Sequence, residues 1–488
     1  LATLKNRAST APVRGWRGPG AGRASTVPPT IEYQGTTVQV CGLFPFVAGS
    51  GAPIHGVPIG RHLVFGEPVG LDPMSWLDAG LVTNPGMFVL GQPGVGKSAL
   101  VKRLVTGNVA FGRTALILGD LKPDYAPLVR HLGGQVIPVA RGKARINPLD
   151  SGPLAAVLSR LSGARLDRLR LETRSRRLAL LLALCALVRR RPVSNGEEIL
   201  LGRVVDLLAE RLDRDPTIPD VVAVLAHEPD ELRSAARLAA EGDYRTSAAD
   251  LVPTLALLCD GVLKGVFDGP TSTPIDLAAP AVSVDISGAS ASGDQLIAAA
   301  MLSVWSYGFA AINAATLLAE EGLAPRRQWL AIMDELWRAL RGAPGLVDHA
   351  DSLTRLNRQL GVGSVMITHS LDDLDALPTE ERAKARGFVE RAAIKVLGAL
   401  PRRELDRVGQ VIRLTAPERS LVASWAAPEL MRAGSVHPGR GKYLIKTGDG
   451  PGIPVSMALV DEEPHLYDTD AAVRRPGRPA LPSSTVRS

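Results

Sequence analysis

The chain is poor in aromatic residues, which fill 4% of its 488 positions, and it has only three cysteines. Cys41, Cys185 and Cys259 lie far apart, with no CxxC pair and no neighbouring histidine. That spacing excludes a disulfide framework and a cysteine-based zinc site, and it fits a reducing compartment. Cys185 and Cys259 stand in apolar runs and are expected in the core. The N-terminus lacks the apolar region of a secretory signal. Long uncharged runs are scarce. Leu178 to Val188 is too short to span a bilayer, whereas Gln295 to Ala319 is long enough. The latter is rich in Ala and carries Ser303, Ser306, Gly308 and Asn313, so a packed helix inside a soluble core is expected.

Acidic residues are missing from the first thirty positions, where Lys5, Arg7, Arg14, Arg17 and Arg23 stand among Gly, Pro and Ala. Residues beyond Asp470 read the same way, with Arg474, Arg475, Arg478 and Arg487 among Pro and Ser. Both ends, 1–30 and 471–488, are expected to be disordered basic tails. Plain solvation explains such charge as well as an arm that touches nucleic acid. The formal net charge of +7 is modest, and 45% hydrophobic content is ordinary for a globular protein. The length points to two or three domains.

What the chain does have is Gly91-Gln92-Pro93-Gly94-Val95-Gly96-Lys97-Ser98, a complete G-x-x-x-x-G-K-[ST] loop. It follows the apolar run Met87–Leu90 and leads through Ala99 and Leu100 into a helical stretch, the context that such a loop needs. Its glycines let backbone N–H groups converge on phosphate oxygens. Lys97 supplies a cation at the β- and γ-phosphates, Ser98 a hydroxyl ligand for Mg²⁺, and the helix start a partial positive charge. Gly91, Gln92, Pro93, Gly94, Val95, Gly96, Lys97, Ser98 and Ala99 are therefore expected to bind a nucleoside triphosphate, ATP with Mg²⁺.

Short β-type runs at Met87–Leu90, Thr114–Leu118, Val136–Val139, Val282–Ile286, Trp329–Met333, Val365–Thr368 and Ala393–Leu397 alternate with helical stretches. Such runs fit a parallel sheet covered on both faces. Between about Asp150 and Pro270 the sequence turns to Leu, Ala and Arg at helical spacing, with breaks at Ser194-Asn195-Gly196, Asp213 to Pro219 and Pro229-Asp230. The expected fold class is α/β, a RecA-like P-loop NTPase core with a parallel-rich central sheet and an inserted all-α domain. The expected divisions are a β-rich segment at 31–80, the opening half of the NTPase core at 81–150, the insert at 151–270 and the closing half of the core at 271–470. Within the insert, Arg165, Arg168, Arg170, Arg174, Arg176 and Arg177 form the densest basic cluster. It reads either as a solvated, salt-bridged face or as a contact for DNA, an acidic partner or a membrane surface.

Hydrolysis needs a metal anchor and a group that orients water. The run Trp329-Leu330-Ala331-Ile332-Met333 ends in Asp334 and Glu335, placing Asp334 as a Mg²⁺ ligand and Glu335 as the group that polarises the attacking water. Val365-Met366-Ile367-Thr368 ends at His369-Ser370, with Asp372 and Asp373 following. His369 is expected between the two motif strands, where it can sense the γ-phosphate; a loop histidine without a role is the alternative. Arg358 is the candidate arginine finger for a neighbouring subunit, Arg355 its near rival, and a plain surface role is open for both.

The order GQPGVGKS, GDLKPDYAPLVRHLGG, INPLD, LAIMDELW and RQLGVGSVMITHSLDDL resembles the HerA–FtsK superfamily of P-loop motors, most closely its VirB-four/TraC-like branch of type IV secretion and conjugation ATPases. Asp120-Leu121-Lys122-Pro123-Asp124-Tyr125 stands where that branch carries an Asp-Pro-Lys-Gly-Glu-Tyr-like motif, and Gly133-Gly134 and Asn147-Pro148-Leu149-Asp150 match its next landmarks. Val266 to Thr271 resembles the exit from its all-α insert, and Gly439 to Tyr443 with Leu459 to Glu463 its closing hairpin and final helix. The resemblance covers about residues 60 to 470 and implies an ATPase that works as a ring, a hexamer by family expectation. It further implies partners among the secretion channel components and a cytoplasmic, peripherally membrane-associated location. Two departures stand out. The branch has Thr-Gln where this chain has Thr368-His369, and its members often carry a large N-terminal domain where this chain has some sixty residues. A DNA-translocating pump of the FtsK/HerA or TraD-like coupling kind is the second reading, with direct DNA contact open. A scaffold that binds nucleotide without hydrolysing it is the third, and Glu335 argues against it.

Overall fold

The computed structural model describes residues 53–153, 162–238, 244–261, 264–289, 293–335, 360–370, 379–426, 437–460 and 462–467. The tails, Cys41, Arg355, Arg358, Asp372 and Asp373 lie outside them. The chain first forms β1 (Val57–His62), β2 (Pro68–Leu71), α1 (Pro73–Asp78), β3 (Gly86–Leu90), α2 (Lys97–Ala110), β4 (Thr114–Asp120), α3 (Ala126–His131) and β5 (Gln135–Pro138). A run of helices follows: α4 (Ala164–Arg189), α5 (Asn195–Arg211), α6 (Ile218–Ala226), α7 (Asp230–Leu238), α8 (Tyr244–Ala248) and α9 (Leu251–Asp260). The remainder comprises β6 (Ala281–Asp285), α10 (Asp294–Glu320), β7 (Trp329–Met333), β8 (Val362–Thr368), α11 (Thr379–Arg391), β9 (Ile394–Leu397), α12 (Arg402–Val408), α13 (Ala416–Ala426), β10 (Lys442–Thr447), β11 (Ile453–Met457) and α14 (Glu463–Leu466).

All these strands join one 11-stranded sheet in the order β2-β1-β11-β10-β9-β3-β8-β7-β4-β6-β5. From β9 to β5 every neighbouring pair is parallel. From β9 outward through β10, β11, β1 and β2 every pair is antiparallel. The apolar runs at β4, β7 and β8 are buried along their whole length, as strands covered on both faces must be. Alternate residues serve the two sides. Met87 and Val89 of β3 pack with α2, β1 and α3, whereas Phe88 and Leu90 pack with the layer that holds α10 and the helices α4 to α9.

Helix α10 is long and apolar enough to cross a membrane, by length and composition, but it lies buried in the core. Its Trp305 indole donates to the Leu118 carbonyl at 3.0 Å, where an irregularity between Leu118 and Asp120 interrupts the β4 ladder. At Gly308 the helix packs so closely that a Cβ would collide with the Leu118 side chain. Cys185 and Cys259 are buried, and burial pushes both thiols up to about 12.

The helical run is ordered by its own punctuation. Ser194 with Glu197 and Thr217 with Asp220 form reciprocal caps that satisfy the first N–H groups of α5 and α6. The arginine cluster on α4 is divided in its use. Arg174 forks onto Asp206 of α5, Arg176 donates to the Asp150 carbonyl at 2.6 Å, and Arg177 donates to the Leu149 carbonyl at 2.8 Å and pairs with Asp215. Arg165 pairs with Glu321 at the end of α10, whereas Arg168 and Arg170 are exposed. The half of the cluster nearer the core is thus salt-bridged and bonded to backbone, and it ties α4 to the chain that leaves β5.

Candidate nucleotide site

Because β3, β8 and β7 are adjacent and parallel, their C-terminal ends open on the same edge of the sheet. The loop 91–96 leaves β3 there, His369 follows β8, and Asp334 and Glu335 follow β7. An open parallel sheet places ligands at this edge, outside the strand ends. The position of β8 between β3 and β7 brings His369 between the two motif strands.

The loop 91–96 is shaped by backbone conformations that side chains disfavour. Gly94 and Gly96 have φ of 82° and 95°, and a Cβ on Gly96 would meet the Tyr443 hydroxyl at 2.9 Å. Gly96 caps α2, so the helix N-terminus points its free N–H groups into the loop. Two neighbouring segments brace the loop from the β9 and β10 side. Gln92 N–H donates to the Ala399 carbonyl at 3.1 Å, and Gly398 N–H to the Leu90 carbonyl at 2.7 Å. Gly441 N–H donates to the Val95 carbonyl at 3.0 Å, and the Tyr443 hydroxyl to the Gly96 carbonyl at 2.7 Å.

Lys97 is buried and folds back over the loop, donating to the Gly91 carbonyl at 2.5 Å and the Gln92 carbonyl at 3.2 Å. Its Nζ also stands 2.9 Å from His369 Nδ1, and His369 Nε2 stands 3.1 Å from Glu335 Oε1. A continuous polar chain therefore runs from the loop lysine through the histidine to the β7 glutamate. Burial pulls the Lys97 ammonium down to about 8, against the upward pull of Asp334 and Glu335.

Glu335 has φ of 53°, one of the few non-glycine residues with positive φ among those described. Such a conformation costs about 1 kcal/mol or more and is found where surrounding structure holds a side chain in place for use. Its own N–H donates to Asp334 Oδ1 at 2.9 Å, and the Tyr125 hydroxyl donates to Asp334 Oδ2 at 3.1 Å. Burial, with the adjacent Glu335 charge adding to it, raises Asp334 to about 6. A half-buried carboxylate in that state gains from a cation placed beside it. Behind it, Asp120 at the end of β4 accepts from Tyr125 N–H at 2.9 Å and Asp124 N–H at 3.3 Å, and burial pushes it up to about 8. Ser98 is half-buried at the start of α2, on the same edge.

The loop residues Gly91 to Ala99, Asp334, Glu335 and His369 are thus gathered at one edge, while Arg358 lies outside the described residues. Tyr125, Asp120 and Tyr443 also belong to this surround, and residue patterns gave them no role. Their partners stand far off in sequence, Tyr125 meeting Asp334 across 209 positions and Tyr443 meeting Gly96 across 347. The available signals were the motif Asp120 to Tyr125, whose Tyr125 hydroxyl reaches Asp334 and whose Lys122 charge acts on Lys97, and the run Gly439 to Tyr443, whose last member reaches Gly96. The donor set fits a magnesium nucleotide: the N–H groups at the start of α2, a buried cation, a hydroxyl, and a half-buried carboxylate whose charge is disfavoured without a cation beside it.

No protein-family model and no curated protein sequence matches the chain. Among solved structures, VirB4 of Thermoanaerobacter pseudethanolicus superposes with a TM-score of 0.62 at 19% identity, over 85% of this chain and 99% of that one. The two share a fold, the RecA-like P-loop α/β core. The plasmid coupling protein TrwB in complex with ADP and Mg²⁺ reaches a TM-score of 0.47 at 13% identity, over 82% of this chain and 90% of that one. The cytoplasmic domain of the Thermomonospora curvata type VII secretion ATPase EccC reaches 0.33 at 13% identity, over 83% of this chain and 29% of that one. Both are too distant to add to the assignment of the fold.

Proposed function

We propose that the chain is a Mg²⁺-dependent ATPase that hydrolyses ATP to ADP and phosphate and energises a type IV secretion or conjugative transfer apparatus. The observation that carries this reading is the chain Lys97–His369–Glu335 with Asp334 beside it, at one edge of three adjacent parallel strands. The fold shared with VirB4 and the ordered sequence motifs support the choice of apparatus.

The roles follow from position. Loop N–H groups and the α2 N-terminus hold the phosphates, with Lys97 leaving its carbonyl partners for the β- and γ-oxygens. Ser98 and Asp334 would hold Mg²⁺, which supplies charge neutralisation at the phosphate oxygens. Glu335 orients and polarises the attacking water. His369 stands where a terminal phosphate competes with it for Lys97, so it reports whether that phosphate is present. Arg358 is the proposed finger toward a neighbouring subunit of a hexameric ring, which would be cytoplasmic and peripheral to the membrane through channel components.

The test is steady-state ATP hydrolysis by wild type and Glu335→Gln, with and without single- and double-stranded DNA. Turnover that is lost in the variant and indifferent to DNA supports the secretion ATPase. Strong DNA stimulation with a steep salt dependence supports a DNA-translocating pump instead. Absence of turnover with retained ATP binding supports a nucleotide-dependent scaffold.

A further inference from the structure

Both oxygens of the Asp334 carboxyl are held from within the protein. Glu335 N–H donates to Oδ1 at 2.9 Å, and the Tyr125 hydroxyl donates to Oδ2 at 3.1 Å. The first bond is local and comes with the turn of the chain at Glu335. The second comes from a residue 209 positions away, so it exists only because the fold brings it there.

Tyr125 is itself fixed from several directions. Its N–H donates to Asp120 Oδ2 at 2.9 Å, which ties it to the end of β4, the strand beside β7. Its carbonyl accepts from Val129 N–H at 2.9 Å as α3 begins. Lys102, buried on α2, sets its Nζ 5.7 Å from the ring centre. The residue is only 1% exposed, so the close-packed surroundings leave the ring little room to swing its hydroxyl away. The ring thus joins the helix that begins at Lys97 to the carboxyl that follows β7. A phenylalanine would fill the same space; what tyrosine adds is the one hydrogen bond. Such a bond to a metal-holding carboxyl fixes its orientation and tunes its affinity for the ion.

We propose that Tyr125 is a positioning residue for the metal that accompanies the nucleotide, its hydroxyl holding the Asp334 carboxyl in place for Mg²⁺. The inference rests on the magnesium-nucleotide reading of the site. It adds a task for the motif Asp120 to Tyr125, in which Asp120 fixes the backbone of Tyr125 and Tyr125 fixes the acid.

Mn²⁺ binding, read by loss of the free-ion paramagnetic resonance signal, tests it. The samples are wild type, Tyr125→Phe, Asp334→Asn and the double variant, each saturated with a non-hydrolysable ATP analogue. Tyr125→Phe should weaken Mn²⁺ binding by about tenfold, the lower end of the effect of removing an outer partner of a metal ligand. Its affinity for the analogue in EDTA should not change. In the Asp334→Asn background the same substitution should have no further effect, because the hydroxyl acts through that carboxyl. Phenylalanine keeps the ring and its contact with Lys102, so the variant should fold and bind the analogue as wild type does. Equal Mn²⁺ affinity in wild type and Tyr125→Phe overturns the proposal. So does a loss that persists in the Asp334→Asn background, which would make Tyr125 a packing residue, or an equal loss of analogue binding in EDTA. Mn²⁺ affinity unchanged in Asp334→Asn would overturn the metal role of Asp334, and a wild type that binds no analogue would overturn the nucleotide reading. Each of these is distinguishable from a failure at Tyr125 alone.

Discussion

Two clusters of charge dominate the molecule, one at the sheet edge around Lys97 and one on α4 around Arg177, and the chain uses them in opposite ways. On α4 the inner cations meet fixed partners. Arg177 has Asp215, which Ser151 also holds through its N–H at 2.9 Å, and Arg174 has Asp206. Neither is left for a ligand to claim. At the sheet edge Lys97 is bonded to carbonyls of its own loop and to a histidine, while Asp334 is half-buried beside Glu335 and raised to about 6. Those contacts are ones that phosphate oxygens and a metal ion would replace with stronger partners. Dense charge in a sequence is therefore no guide to function by itself; what the partners are decides it.

Mutations should separate the clusters. Glu335→Gln should lower ATP turnover by about 10²- to 10⁴-fold, the range for a residue that moves or orients a proton, while leaving the melting temperature near that of wild type. Arg177→Ala should do the reverse. It leaves Asp215 with Ser151 but without its cation and the Leu149 carbonyl without its donor, and should destabilise the fold by about 1–3 kcal/mol, read by denaturant unfolding, with turnover per folded molecule kept. Loss of turnover without loss of stability in Arg177→Ala would erase the distinction.

Of similar size, Gly308→Ala forces a methyl into Leu118 and should cost about 1–3 kcal/mol through overpacking. That is a fold effect close to the edge, and it tests whether packing behind β4 is as tight as the site in front. The smallest effect belongs to the cap of α6. The bond from Arg214, with help from Thr217, holds the Asp220 carboxyl down to about 2. A lowered value contributes stability that is present above the ordinary carboxylate range and fades as pH falls toward 2. Asp220→Asn should flatten that part of the stability–pH curve by no more than about 1 kcal/mol, because the pair is partly solvated.

Much of this was legible in the residues. The runs that became β3, β4, β5, β6, β7, β8 and β9 are short, mostly apolar and set among helical stretches, with charge confined to Asp120, Asp285 and Lys395, because strands covered on both faces need little else. The loop 91–98 and the acidic pair after β7 were legible for the same reason, since they are fixed by local geometry. Of the antiparallel extension only the pieces were legible, a β-rich segment before the core and a closing hairpin, and not how they join the sheet. Strands β1, β2 and β11 are short and contain glycine or proline, and alternation alone does not say that β1 pairs with the far more distant β11, with Gly60 opposite Met457. The surround of the site was hidden likewise, since Tyr125 and Tyr443 reach it only through the tertiary fold. On α4 the sequence showed a dense row of arginines but not that Asp206 would come to meet Arg174, or Asp215 to meet Arg177.

The central claim is that the charge at the sheet edge is there for a nucleoside triphosphate. The most direct measurement is thermal unfolding of wild type, Lys97→Ala and Arg177→Ala with and without excess Mg²⁺–ATP. Binding to the native state alone stabilises by about 2.7 kcal/mol at a ligand concentration a hundred times the dissociation constant. The account predicts a clear rise in melting temperature for wild type, none for Lys97→Ala, and a rise from a lower starting point for Arg177→Ala. A wild type that does not respond, or a Lys97→Ala variant that responds as fully as wild type, would contradict it.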